Sequence, residues 1–168
     1  MLAIDPGTKY LGYAGFVSGE LSDYGVKSIR QNEGVKGILL DLDRIFRRML
    51  DEKRPGELVI ERNAFSQIRS NVRLTLAVTH LKNLAEKRRI RVFEVDPRTV
   101  RKIVCKDGNA TKREVARTLA ILYPELKAYL ESNRRWRVDF HQNAFDAIAV
   151  GQAFLKMSRT FSDQRPNS

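Results

Sequence analysis

The chain has few of the residues that could give it a covalent or zinc-built frame. Among its 168 residues there is one cysteine, Cys105, and two histidines, His80 and His141. An internal disulfide is excluded, and no cysteines and histidines cluster at zinc-ligand spacing. Prolines are sparse, and the single tryptophan is Trp136. No run of about 18 apolar residues is available to cross a membrane. The first residues lack the basic-then-apolar order of a secretory signal. These absences point to a cytoplasmic setting, and the length suits one domain around one substantial core.

Acids are scarce relative to bases. Twenty Asp and Glu face 31 Lys and Arg, leaving a net charge of +11. Such an excess favours an extended polyanionic partner, with nucleic acid as the leading candidate and a merely solvated basic surface as the plain alternative.

What is present begins with Met1-Leu2-Ala3-Ile4, an apolar strand that runs straight into Asp5 before Pro6-Gly7-Thr8-Lys9 turns the chain back. Strands are expected over about 2–5, 11–17 and 21–29, the last two joined by a hairpin turn at Ser18-Gly19-Glu20. Val35, Ile38, Leu39, Leu42, Ile45, Phe46 and Met49 recur at helical spacing, and Pro55-Gly56 ends that helix. A fourth strand is Leu58-Val59-Ile60. A long helix over about 68–88 carries Val72, Leu76, Thr79, Leu81 and Leu84, and Arg91 to Val95 alternates like a fifth strand. Asp96-Pro97 reads as the cap and first residue of a short helix through Val104. Thr111 and Glu114 have capping-box spacing for another helix, which Pro124 closes. A last helix spans about 142–157. The order predicts an α/β protein in which an antiparallel meander, extended by parallel strands, forms a mixed five-stranded sheet flanked by helices. Residues 1–158 form the expected domain, and 159–168 a flexible tail.

Asp5 and Glu61 close two of these strands, and Asp146 lies in the last helix. Taken singly, each acid reads as a strand-end cap or a solvated residue. Carboxylates brought together from three segments would repel one another, so their convergence points to a hard divalent cation.

The same residues resemble the RuvC family of Holliday-junction resolvases, a branch of the RNase H-like nucleases, over about residues 1–157. The likeness rests on Ile4-Asp5-Pro6-Gly7-Thr8 with Gly12 following, on Val59-Ile60-Glu61 with Phe65 in the next loop, and on Asn143-Ala144-Phe145-Asp146-Ala147-Ile148-Ala149. It implies a metal-dependent endonuclease that nicks a four-way DNA junction symmetrically as a homodimer, with the helix over about 68–88 at the interface. A branch-migration helicase is a further partner the resemblance admits, and a bacterial source would make the enzyme nucleoid-associated. Asp5, Glu61, Asn143 and Asp146 are the implied ligands of two Mg²⁺ or Mn²⁺ ions. Asn143 stands where many relatives carry an acid, and His141 or Asp139 could assist there. The glycine-containing pattern associated with the family's dimer contact is not evident around Ala77 to His80.

A basic segment lies between these motifs. Lys112 is the expected catalytic lysine, and Arg98, Arg101, Lys102, Lys106, Lys112, Arg113 and Arg117 could neutralise phosphates. Phe65 either stacks on an unpaired base or packs in the core. Trp136 within Arg134-Arg135-Trp136-Arg137 is read as an anchor for the last helix. Three other readings remain open: a YqgF-like or other RNase H-like nuclease acting on RNA or on an RNA–DNA hybrid, a catalytically weak junction-binding module, and an actin-like ATPase. The last is disfavoured because the chain has no second phosphate hairpin and no room for one.

Overall fold

Strand alternation decides which side chains meet. In this computed structural model, residues 1–30, 34–62, 72–130 and 135–163 are described, with side chains of the last helix from 141 to 159. The chain runs β1 (Leu2–Pro6), β2 (Tyr10–Val17), β3 (Glu20–Ser28), α1 (Gly34–Lys53), β4 (Glu57–Glu61), α2 (Val72–Lys87), β5 (Arg91–Val95), α3 (Pro97–Cys105) and α4 (Lys112–Leu122). A 3₁₀ turn (Pro124–Leu126), the short α5 (Lys127–Leu130) and the long α6 (Arg135–Asp163) follow. The five strands lie in the order β3-β2-β1-β4-β5, antiparallel from β3 to β1 and parallel from β1 to β5.

The two faces of this sheet carry separate cores. Leu2, Ile4, Leu58 and Ile60 point to one face and pack with Leu42, Phe46 and Leu81 from α1 and α2. Ala3 and Val59 point to the other, beneath Ile148 and Val150 of α6 and Val100 and Leu119 of α3 and α4. Because successive strand residues alternate in direction, Asp5 follows Ala3 and Glu61 follows Val59 onto the α6 face. β1 and β4 are parallel, with Ala3 opposite Val59 and Ile4 opposite Ile60, so both acids emerge at the same end of the sheet.

Local signals act as expected at several ends. Ser18 and Gly19 both have positive φ, 52° and 85°, and Val17 pairs with Glu20, so the hairpin loop is the two residues Ser18-Gly19. The Asp96 side chain accepts from the backbone N–H groups of Arg98 and Thr99 above Pro97, and Thr111 with Glu114 closes a reciprocal capping box on α4.

Three expectations differ from the structure. Val72 and Leu76, read on one apolar helix with Leu81 and Leu84, part from them in burial, being 64% and 43% exposed. The buried face of α2 is Ala77, Val78, Leu81, Leu84 and Ala85. The last helix begins at Arg135 and continues to Asp163, past both expected ends. The charged residues before Gln142 hide its apolar period, while no proline interrupts the helix. The 3₁₀ turn and α5, too short to show a period, were not foreseen.

Candidate active site

Asp5 at the end of β1, Glu61 at the end of β4 and Asp146 on α6 line one cleft of about 340 Å³. Its other walls include Leu74 of α2, Pro97, Val100 and Arg101 of α3, Lys112 and Val115 of α4, and Ala149 of α6. Neither the strands nor the helix could assemble this site alone. The parallel β1–β4 pair brings two acids to one sheet end, and α6 crosses that end to deliver the third.

The electrostatics record the crowding. Burial, then the charges of Asp146 and Glu61, push Asp5 up to about 7, against an opposing pull from Lys112. Burial and Asp146 raise Glu61 to about 7 as well, with Lys112 and Arg101 opposing and Asp96 adding to the rise. Lys112 donates from Nζ to Asp146 Oδ2 at 2.6 Å, and Gln142 donates from Nε2 to Asp146 Oδ1 at 2.8 Å. Desolvation works against the Lys112 ammonium, but Asp146, by charge and hydrogen bond, and then Asp5 and Glu61 outweigh it, holding its pKa above the ordinary lysine value.

A divalent cation fits this donor set. The walls offer hard anionic oxygens in an open cleft, and burial together with mutual repulsion, which raise Asp5 and Glu61, disfavour the anions in a way a bound cation would offset. Among the described residues, no three acidic, histidine or cysteine side chains stand close enough together to hold a metal ion between them. The cleft therefore presents the ligands without gathering them, and Lys112 is the cation lodged against Asp146.

The other expected residues are distributed unevenly. Arg101 reaches the cleft and donates from Nε to the Gly108 carbonyl at 3.0 Å. Arg98, Lys102, Lys106 and Arg113 are exposed on α3, α4 and the turn between them, and Arg98 contacts the Asn109 side-chain oxygen at 3.4 Å. Asn143 lies one turn before Asp146 but is not a wall of the cleft, and its backbone abuts Gly12 of β2. His141 packs its ring on Tyr129, with centroids 4.3 Å apart, away from the acids. Phe65 and the side chains of Trp136 and Asp139 lie outside the described residues. Sequence reasoning missed Gln142 and the apolar walls Leu74 and Val100. The signal for Gln142 was its place four residues before Asp146 on one helix face.

The family model for crossover junction endodeoxyribonuclease RuvC matches residues 1–154. The chain belongs to the RuvC family. A RuvC relative from Akkermansia muciniphila is 29% identical over 161 residues, which cover 92% of this chain and 89% of the relative. The structure of Thermus thermophilus RuvC superposes with a TM-score of 0.71 at 20% identity, covering 96% of this chain and 97% of that one. The same protein solved in complex with a Holliday junction substrate gives 0.72 at 19% identity, over 96% of this chain and 95% of that chain. At those identities the RuvC structures speak to the fold alone, a mixed five-stranded sheet flanked by helices.

Proposed function

We propose that this RuvC-family chain is a metal-dependent endonuclease that resolves four-way DNA junctions by paired phosphodiester hydrolysis. The observation that carries it is the meeting of Asp5, Glu61 and Asp146, from three distant segments, on one cleft that also holds Lys112 and Arg101. Divalent ions held by Asp5, Glu61 and Asp146, with Asn143 as the expected neutral ligand, would supply an activated water and neutralise charge at the reacting phosphodiester. Lys112 and Arg101, which line the same cleft, bind and orient the phosphate. Arg98, Lys102, Lys106 and Arg113, exposed beside the cleft, hold the flanking backbone. The metal is Mg²⁺ or Mn²⁺, with two ions per site. Phe65 is assigned to an unpaired base. Residues 1–158 serve as the nuclease domain.

Two-fold symmetric nicking needs two sites, hence a homodimer. The exposed Val72 and Leu76 of α2 supply apolar surface for that contact. A branch-migration helicase would deliver the junction. No helix among the described residues is long and apolar enough to cross a membrane, and a nucleoid-associated enzyme in the cytoplasm is consistent with the positive charge.

The test is cleavage of an immobile junction, a mobile junction, an RNA–DNA hybrid and a single strand with Mg²⁺ or Mn²⁺, with Asp5→Asn as control. Symmetric nicks in the junctions are expected, and affinity should fall with salt by about 0.9 log unit per released counterion for each log unit of salt. A cut hybrid beside an intact junction would overturn the substrate assignment. One observation favours a second reading, a junction-binding module of little activity: Asn143 is neutral and stands off the cleft wall. Tight junction binding without cleavage in either metal would select it.

A further inference from the structure

Asp146 offers its two carboxylate oxygens to partners of different permanence. Gln142, half-buried and one turn earlier on the same helix, donates its amide to Oδ1. The i, i+4 spacing places the two side chains one above the other, so this contact is built into α6. Lys112 donates to Oδ2 from the first turn of another helix, and its side chain is 70% exposed against 14% for Asp146. The exposed lysine side chain can swing its ammonium to water or a phosphate, whereas the Gln142 amide sits on the same helix as its acceptor.

We infer that Gln142 is a positioning residue for Asp146: its amide holds Oδ1 and so fixes the direction of Oδ2, the oxygen for which a divalent cation and the Lys112 ammonium compete. This inference rests on the metal-dependent reading above. A neutral amide suits the position on chemical grounds. A cation there would neutralise Asp146 as Lys112 does and weaken its hold on a metal, while an acid would add repulsion to a cleft in which Asp5 and Glu61 already resist ionising. An amide fixes the rotamer and spends one oxygen without altering the charge. Asn143, the neutral residue singled out by the sequence, is the next helical position, and its backbone carbonyl lies against Gly12. Gln142, one residue earlier, is a second neutral amide, in contact with Asp146.

Calorimetric Mn²⁺ titration of the whole protein without DNA tests this, paired with melting of the metal-free protein. Gln142→Met keeps side-chain length and helix-forming character but removes the amide. It should weaken Mn²⁺ binding about 10-fold, the lower end of what losing an outer partner of a metal ligand costs, with the metal-free melting temperature little changed. Lys112→Met should act with the opposite sign, tightening Mn²⁺ binding by removing the competitor. Unchanged affinity in Gln142→Met, with wild type binding Mn²⁺ and cutting junctions, would overturn the inference and leave the function standing. A lowered metal-free melting temperature with unchanged affinity would reduce Gln142 to a helix-stabilising pair and overturn it equally. A wild type that takes up no Mn²⁺ would sink both.

Discussion

The backbone carbonyl of Asn143 lies so close to Gly12 that a Cβ added to Gly12 would stand 2.0 Å from that oxygen. Gly12 is the residue paired with Asp5 across β1 and β2. The missing side chain is thus what allows α6 to descend onto the sheet beside the first acid and bring Asp146 into the cleft.

Gly12→Ala must push α6 away, because backbone atoms cannot yield as a flexible side-chain tip can. Overpacking of this kind costs about 1–3 kcal/mol, and a displacement near 1 Å at a catalytic group can cost about 100-fold in rate. Cleavage should fall by that order while junction binding, carried by exposed cations, declines much less. Melting curves and cleavage rates on the same preparation check both halves.

Asp5→Asn removes a carboxylate from the cleft while keeping its shape. Cleavage should drop by more than the roughly 10–100-fold associated with an outer partner of a metal ligand. Junction affinity should be retained or rise, since an acid facing phosphates is gone. Gel-shift and single-turnover cleavage assays separate the two, and a variant that cuts normally would remove Asp5 from the mechanism.

The pH response of the metal-free protein has a defined sign. Asp5 and Glu61 have ordinary values of 3.8 and 4.5 and stand at about 7 when folded. The unfolded chain therefore releases their protons first, and between those values stability falls as pH rises, the loss being complete above the folded value. Metal-free protein should melt lower at about pH 8 than at about pH 5, with about 2–4 °C for each kcal/mol in a chain of this size. Mg²⁺ or Mn²⁺ should reverse the loss at the higher pH. Asp5→Asn should flatten the profile, and a wild-type profile that climbs across this interval would contradict the crowding of the acids.

Far from the cleft, Asp41 of α1 is 7% exposed and accepts from the Arg30 backbone N–H at 2.9 Å and from Arg44 Nη2 at 2.6 Å. Desolvation opposes its charge, but the Arg30 and Arg44 hydrogen bonds and charges prevail and hold its pKa below the ordinary value. Its contribution is present above the ordinary carboxylate value and is lost as pH falls through the folded one. Asp41→Ala leaves the Arg30 N–H without this acceptor and should cost about 1–3 kcal/mol, read by denaturant unfolding at neutral pH, with cleavage per folded molecule unchanged.

The sequence by itself determined the strands and most helix ends, because these depend on short-range physics: alternation in β1 and β4, the Asp96 and Thr111 caps, and the turn residues Ser18 and Gly19. It also marked Asp5 and Glu61 by their places directly after apolar strands, and the family by their motifs. It did not separate the exposed Val72 and Leu76 from the buried Leu81 and Leu84, since a helical period alone does not say which apolar residues find a neighbour. Only the tertiary structure decided that α6 crosses at Gly12, that Gln142 touches Asp146, and that Lys112 reaches across 34 residues to the same carboxylate. Those are distances between segments remote in the chain, set by how closely helix and sheet can pack, and local residue patterns carry no record of them.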